Sequence, residues 1–104
     1  MMVAISDFAA LVYKNLKKVP RGRITTYQEL AKAIGRPRAS RAVGNALNKN
    51  FFAPKVPCHR VVKSNGQIGG YAGGVNQKIE LLKKERIIIK GEKIVDFKKV
   101  LYKF

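Results

Sequence analysis

Apolar residues recur along this chain with changing period, and each change marks an element. Over 6–18, Phe8, Leu11, Val12 and Leu16 share one face at helical spacing, while Lys14, Lys17 and Lys18 fall on the other. Ser6 or Asp7 caps this first helix, and Pro20 with Gly22 stops it. Arg23-Ile24-Thr25 is short and β-prone, an extended lead-in. Thr26-Tyr27-Gln28-Glu29 has capping-box spacing, with hydroxyl and carboxylate reaching each other's backbone N–H. It predicts a second helix with Tyr27, Leu30, Ala31 and Ile34 inside and Gly35 as its stop. After the turn Gly35-Arg36-Pro37-Arg38, a third helix is predicted from about Ser40 to Asn48. Ala39, Ala42, Val43, Ala46 and Leu47 give it a narrow stripe of small residues. Short helices joined by a tight glycine-containing turn suggest a helix-turn-helix, a pattern that many small helical domains share.

The second half changes character. Residues 51–57 hold two prolines and no period, and read as a loop. Val61-Val62-Lys63 and Gln67-Ile68-Gly69 flank Ser64-Asn65-Gly66, which predicts a hairpin. A glycine-rich loop, 69–74, precedes a fourth helix from about Asn76 to Glu85, with Val75, Ile79 and Leu82 facing inward. Ile87-Ile88-Ile89 and Ile94-Val95-Asp96-Phe97 flank Gly91 as a second hairpin. The alternating tail, Lys98–Phe104, is expected to be loosely attached. The pattern is that of a mostly helical α/β domain with a helix-turn-helix and short β-hairpins.

Composition narrows the partners. At 104 residues the chain is one domain, and 46% hydrophobic residues suffice for a modest core. A single cysteine forms no internal disulfide, which points to a reducing, intracellular setting. No apolar run approaches a membrane span, and the first residues lack a signal-peptide core. The net charge of +16 makes nucleic acid the default partner. Ribosomal association, an anionic membrane surface and a lysine-rich, heat-adapted composition remain open.

Candidate chemistry sits in Val56-Pro57-Cys58-His59-Arg60-Val61-Val62, which holds the only cysteine and the only histidine. Positive neighbours raise the thiolate fraction of a cysteine, so Cys58 reads either as a nucleophile or as a small buried hydrophobe. A four-ligand zinc site is excluded by count. On an extended segment, adjacent side chains point to opposite faces. His59 would therefore reach Cys58 only through a turn or a bridging water. Glu85, at the end of the fourth helix, is unfavourable for the helix dipole. It is either a solvated end charge or a partner that orients an imidazole. The glycine-rich loop carries no phosphate-binding signature and reads as a flexible turn or as a mobile wall around a flat ligand.

Pro57-Cys58-His59-Arg60-Val61 resembles the O6-alkylguanine-DNA alkyltransferases, the methylated-DNA–protein-cysteine methyltransferases. Thr25-Thr26-Tyr27-Gln28-Glu29-Leu30-Ala31 resembles the family's first helix-turn-helix helix, and Ser40-Arg41-Ala42-Val43-Gly44-Asn45-Ala46 its recognition helix. Asn50 falls eight residues before Cys58. Gly70-Tyr71-Ala72-Gly73-Gly74 and Leu81-Leu82-x-x-Glu85 resemble the active-site loop and the helix after it. The likeness covers about residues 5–90.

The resemblance implies a winged-helix-like domain of the family's C-terminal, DNA-binding and active-site type over 1–104, with no N-terminal domain. It implies base flipping of O6-alkylguanine and direct, single-turnover transfer of the alkyl group to Cys58, with neither cofactor nor metal. By the same resemblance, His59 would deprotonate Cys58 through a water, Glu85 would hold the imidazole, and Asn50 would tie the helix-turn-helix to the cysteine loop. Tyr27 would crowd the phosphate 3′ to the lesion and hydrogen-bond the flipped base. Arg41 would enter the stack from the minor groove. Tyr71, Ala72 and Gly73 would line the base pocket, and Val61 would offer its carbonyl. The implied partner is double-stranded DNA bound by a cytoplasmic, nucleoid-associated monomer that contacts no membrane, with other repair proteins as further partners.

Two positions depart from the family pattern: Phe51 stands where proline commonly follows Asn50, and Ala72 lacks a hydroxyl that some members carry. The competing reading is a short alkyltransferase-like protein that binds alkylated guanine and recruits excision repair without transfer. Such proteins replace the cysteine that is present here. A generic winged-helix regulator is the third reading.

Overall fold

The Ser6 hydroxyl accepts the Ala9 N–H at 3.1 Å and opens helix α1, Asp7–Leu16. The computed structural model describes residues 6–49, 56–71 and 73–104. Val12, Tyr13 and Leu16 form the buried face of α1. Leu11, expected inside, is 42% exposed, and Tyr13 takes its place. The aromatic ring covers the core while the hydroxyl donates to the Ala46 carbonyl at 2.7 Å. An apolar–polar pattern gives no credit to a residue that is both.

Strand β1 is only Thr25–Thr26, and helix α2, Tyr27–Ala33, follows at once. The Thr26 hydroxyl accepts the Glu29 N–H at 3.0 Å, as the capping-box spacing predicts. Gly35, at φ +78°, ends this segment in the left-handed region. Helix α3, Ser40–Asn48, packs on α1 and α2 and completes the helix-turn-helix. Its buried stripe is Val43, Ala46 and Leu47, whereas Ala42 is exposed.

The strands pair differently from the expected first hairpin. Val61–Val62, strand β2, lies parallel to β1, with Thr25 opposite Val61 and Thr26 opposite Val62. The predicted turn does form: Gly66 N–H donates to the Lys63 carbonyl, Lys63 N–H donates to the Gln67 carbonyl, and Gly66 has φ +86°. Both valines are fully buried, however, and only a position between the two hydrophobic clusters covers both faces of so short a strand. Residues 66–68 instead extend the second hairpin: Gln67 bridges Lys93, and Ile68 N–H donates to the Glu92 carbonyl. That hairpin is β3, Ile89–Lys90, with β4, Lys93–Ile94. It is shorter than predicted because Ile87 belongs to the core and Phe97 begins a helical turn, α5, Phe97–Val100.

The tail is attached. Tyr102 N–H donates to the Ile24 carbonyl at 2.7 Å, Ile24 N–H donates to the Val100 carbonyl at 2.9 Å, and Leu101 forms a parallel bridge with Ile24. Helix α4, Val75–Lys84, carries the remaining correction. Val75 is 40% exposed, and the fully buried residue of that turn is Lys78. The whole is a mostly helical α/β domain, winged-helix-like, with a helix-turn-helix on one side and short strands on the other. No described helix is long and apolar enough to cross a membrane.

Candidate active site

Pro57 precedes a single 3₁₀ turn, Cys58–Arg60, which leads straight into β2. Cys58 N–H donates to the Val56 carbonyl at 2.8 Å and Arg60 N–H to the Pro57 carbonyl at 2.9 Å. Successive side chains on such a turn diverge by about 120°. The backbone is therefore not extended here, and Cys58, His59 and Arg60 fan out from one point. Cys58 is 7% exposed. It borders a cavity of about 10 Å³ shared with Tyr27, Leu47, Asn48, Gly70 and Tyr71, which is room for about one water. The Tyr71 side chain borders that cavity together with Cys58.

On the other side, His59 Nε2 lies 3.1 Å from Glu85 Oε2. Arg60 grips the same carboxylate in a fork, Nε to Oε1 at 2.9 Å and Nη2 to Oε2 at 2.6 Å, while its Nη1 donates to the Val19 carbonyl at 2.8 Å. Helix α4 ends at Glu85, and Arg86, at φ +67°, turns the chain away. The carboxylate is thereby fixed by the helix end that seemed a poor place for it. Burial pushes the Glu85 carboxyl up, but the hydrogen bonds from Arg60 and His59 outweigh this and hold it below its ordinary value. Burial dominates at His59 and lowers its pKa despite the Glu85 hydrogen bond and charge, which act the other way. The imidazole is therefore neutral at pH 7. With a carboxylate at Nε2, that nitrogen carries the proton and Nδ1 carries the lone pair. Nδ1 is buried and has no hydrogen-bond partner among the described residues. It is an imidazole prepared to accept one proton.

Three phenols surround the cysteine. Burial, and then the Cys58 charge, push Tyr13, Tyr27 and Tyr71 above their ordinary values. They remain O–H donors rather than bases. Tyr27, at the start of α2, also borders a larger polar groove of about 400 Å³ with Gln28, Ser40, Lys63, Ser64 and Asn65. The fold thus brings together Cys58, His59, Glu85, Tyr27 and Tyr71. Val61 follows the cysteine turn, and its carbonyl accepts the Lys78 ammonium at 2.6 Å. Gly73 is exposed, and a Cβ there would collide with the Gln77 side chain and the Tyr71 ring. Arg41 is exposed in the first turn of α3 and does not line the cysteine cavity. Asn50 and Ala72 lie outside the described residues. No group of three metal-ligating side chains occurs among the described residues.

Two groups escaped the sequence reading. Arg60 stood inside the motif, but its fork onto Glu85 spans 25 residues of chain. Lys78 stood at i+3 from Val75 and i−4 from Leu82, on the inward face of the helix, and that spacing was its only signal.

Comparison with known proteins fits this geometry. The family model described as 6-O-methylguanine DNA methyltransferase, DNA binding domain, matches residues 7–87. A methylated-DNA–protein-cysteine methyltransferase of Methanosarcina acetivorans is 51% identical over 80 residues, which are 77% of this chain and 51% of that protein. The chain thus spans about half the length of this relative. The crystal structure of the Mycobacterium tuberculosis methyltransferase OGT in complex with DNA superposes with a TM-score of 0.78 at 44% identity, covering 82% of this chain and 53% of that one. S. pombe Atl1, in complex with damaged DNA containing O6-carboxymethylguanine, superposes with a TM-score of 0.85 at 29% identity, covering 97% and 99%. The match defines the domain by its DNA-binding character, and this coarser description replaces the C-terminal designation that the resemblance implied. By the family match over most of its length, the chain belongs to the 6-O-methylguanine DNA methyltransferase family.

Proposed function

We propose that this protein repairs DNA by moving an alkyl group from O6-alkylguanine in a duplex directly onto Cys58, once per molecule. The observation that carries the reading is an imidazole tied to Glu85 through Nε2, with Nδ1 buried and without a hydrogen-bond partner among the described residues, next in sequence to the single cysteine. Nδ1 takes the thiol proton through a bridging water. The sulfur then attacks the alkyl carbon as the carbon–oxygen bond breaks. The electron pair of that bond stays on the guanine oxygen, and the proton returns to the base through solvent. O–H donors from Tyr27 and Tyr71 stabilise the developing charge. Asn50 ties the helix-turn-helix to the cysteine loop.

A cavity of about 10 Å³ is far too small for a guanine, so the Tyr71 side chain that borders it must shift when the base flips in. The helix-turn-helix lies on the DNA, with Arg41 filling the stack from the minor groove. The 104 residues act as one monomeric domain inside the cell, without metal or cofactor.

The test uses a duplex with a single O6-methylguanine and intact mass measurement of both partners. The protein gains one methyl group and the DNA loses one, whereas Cys58→Ala binds the lesion and gains nothing. The near-complete coverage of S. pombe Atl1 favours a second reading, a lesion-binding module without transfer. Preferential binding of the lesion duplex with both masses unchanged would select it.

A further inference from the structure

Helices α1 and α4 end side by side, and both ends are basic. Arg21 Nη2 donates to the Lys84 carbonyl at 2.9 Å, and a Cβ on Gly22 would stand 3.8 Å from the Glu85 carbonyl oxygen. These contacts bring the segment of Lys17, Lys18 and Arg21 against that of Lys83, Lys84 and Arg86, and all six side chains are exposed. None of them forms an ion pair among the described residues. Glu85 is committed to Arg60 and His59, and Glu80, one turn back on α4, pairs with none of the six. Cations favour helix C-terminal ends, which accounts for Lys83 and Lys84 in the last turn of α4. Lys18, Arg21 and Arg86 lie beyond the helices, and the dipole gives no reason for them.

This basic cap lies behind the cysteine turn. Arg60 leaves the turn to meet both segments, donating to the Val19 carbonyl and to Glu85, where His59 joins it. The cavity over Cys58 opens among Tyr27, Leu47, Asn48, Gly70 and Tyr71 instead. No residue of the cap lines that cavity or the polar groove beside α2 and α3. The molecule measures 38 × 29 × 20 Å, so even its thinnest dimension is about twice the Debye length of about 8–10 Å in physiological salt. A duplex docked on the helix-turn-helix is thus screened from the cap. Six like charges facing solvent repel one another, and a second polyanion removes that cost. The large exposed hydrophobics Leu11, Val75, Ile88 and Phe104 belong to neither segment, whereas a lipid surface is held through buried apolar area as well as charge. Around a DNA-bound protein, the polyanion at highest local concentration is more duplex.

We propose that the cap formed by the ends of α1 and α4 is a second duplex-binding face, which engages a neighbouring DNA segment while the helix-turn-helix holds the first. The proposal rests on the docking of the helix-turn-helix on DNA and is independent of alkyl transfer. Two faces let the protein pass from one segment to another without release into solvent.

The test mixes the protein with an excess of short duplexes, half carrying a donor dye and half an acceptor. Energy transfer reports two duplexes in one complex, and equilibrium sedimentation counts the proteins in it. The wild type forms a complex of one protein with two duplexes. The combined variant Lys17→Gln, Lys18→Gln, Lys83→Gln, Lys84→Gln changes only exposed side chains. It binds the second duplex about tenfold more weakly or worse, and the first, read by anisotropy, within about twofold of the wild type. Undiminished energy transfer in the variant, a bridging complex with two proteins, or equal losses for both duplexes would each overturn the proposal. So would a wild type that exchanges no second duplex but binds anionic phosphatidylserine vesicles through the same four lysines. A wild type that binds one duplex and never a second refutes the cap and leaves the helix-turn-helix docking standing, whereas one that binds none refutes both.

Discussion

At the scale of the residue, the site depends on one carboxylate doing two things. Glu85 fixes the imidazole tautomer and balances Arg60. Glu85→Ala leaves a guanidinium only 16% exposed without its anion. We expect a loss of about 2 kcal/mol in urea unfolding, less than for a fully buried pair. On the proposed function, alkyl transfer slows with it because the imidazole loses its orientation. His59 supplies a pH signature. Its folded pKa lies below the ordinary 6.5, so below pH 6.5 the unfolded chain takes up a proton that the folded one refuses. Stability is full above that pH and declines as pH falls through the lowered value. The lowered Glu85 carboxyl adds a further loss only below its ordinary 4.5. His59→Gln removes the first decline and keeps the second, as thermal unfolding across pH would show. The Cys58–His59 adjacency was visible in the sequence, but its meaning was not. The 3₁₀ turn decides where each side chain goes, and the Glu85 and Arg60 contacts close over 25 residues or more.

At the scale of the element, local signals were read well and long-range pairing was not. The Thr26 cap, the Gly35 stop and the α3 stripe follow from neighbours within one helical turn. The parallel pairing of Val61–Val62 with Thr25–Thr26 joins segments 36 residues apart, and a hairpin signal at Asn65-Gly66 pointed elsewhere. Lys78 was hidden by its type, since a lysine on an inward face reads as a break in the pattern until its carbonyl partners are known. The tail was hidden by composition, because Lys98, Lys99 and Lys103 mask a segment pinned to Ile24. Truncation after Val100 removes the Leu101 bridge and the Tyr102 hydrogen bond, and uncovers Ile24, which is now fully buried. We expect a loss of about 2 kcal/mol by urea unfolding. An unchanged midpoint would mean that the tail is as loose as its sequence suggested.

At the scale of the whole molecule, +16 charges on 104 residues suit the proposed binding of DNA. Phosphate neutralisation releases counterions, so affinity for undamaged duplex should fall about a hundredfold between 50 and 200 mM salt if about four phosphates are neutralised. Fluorescence anisotropy over that range gives the slope, and a flat line would remove the charge from the binding account. Charge and fold are shared by both functional readings, whereas the chemistry at Cys58 is not.

The most direct measurement therefore follows that sulfur. Trypsin cleaves after Lys55 and Arg60 and releases Val56–Arg60, a peptide with the only cysteine and the only histidine of the chain. After incubation with an excess of O6-methylguanine duplex, this peptide should carry one methyl group, on Cys58, in nearly every molecule. Tight binding of the lesion with the peptide unmodified would contradict the account.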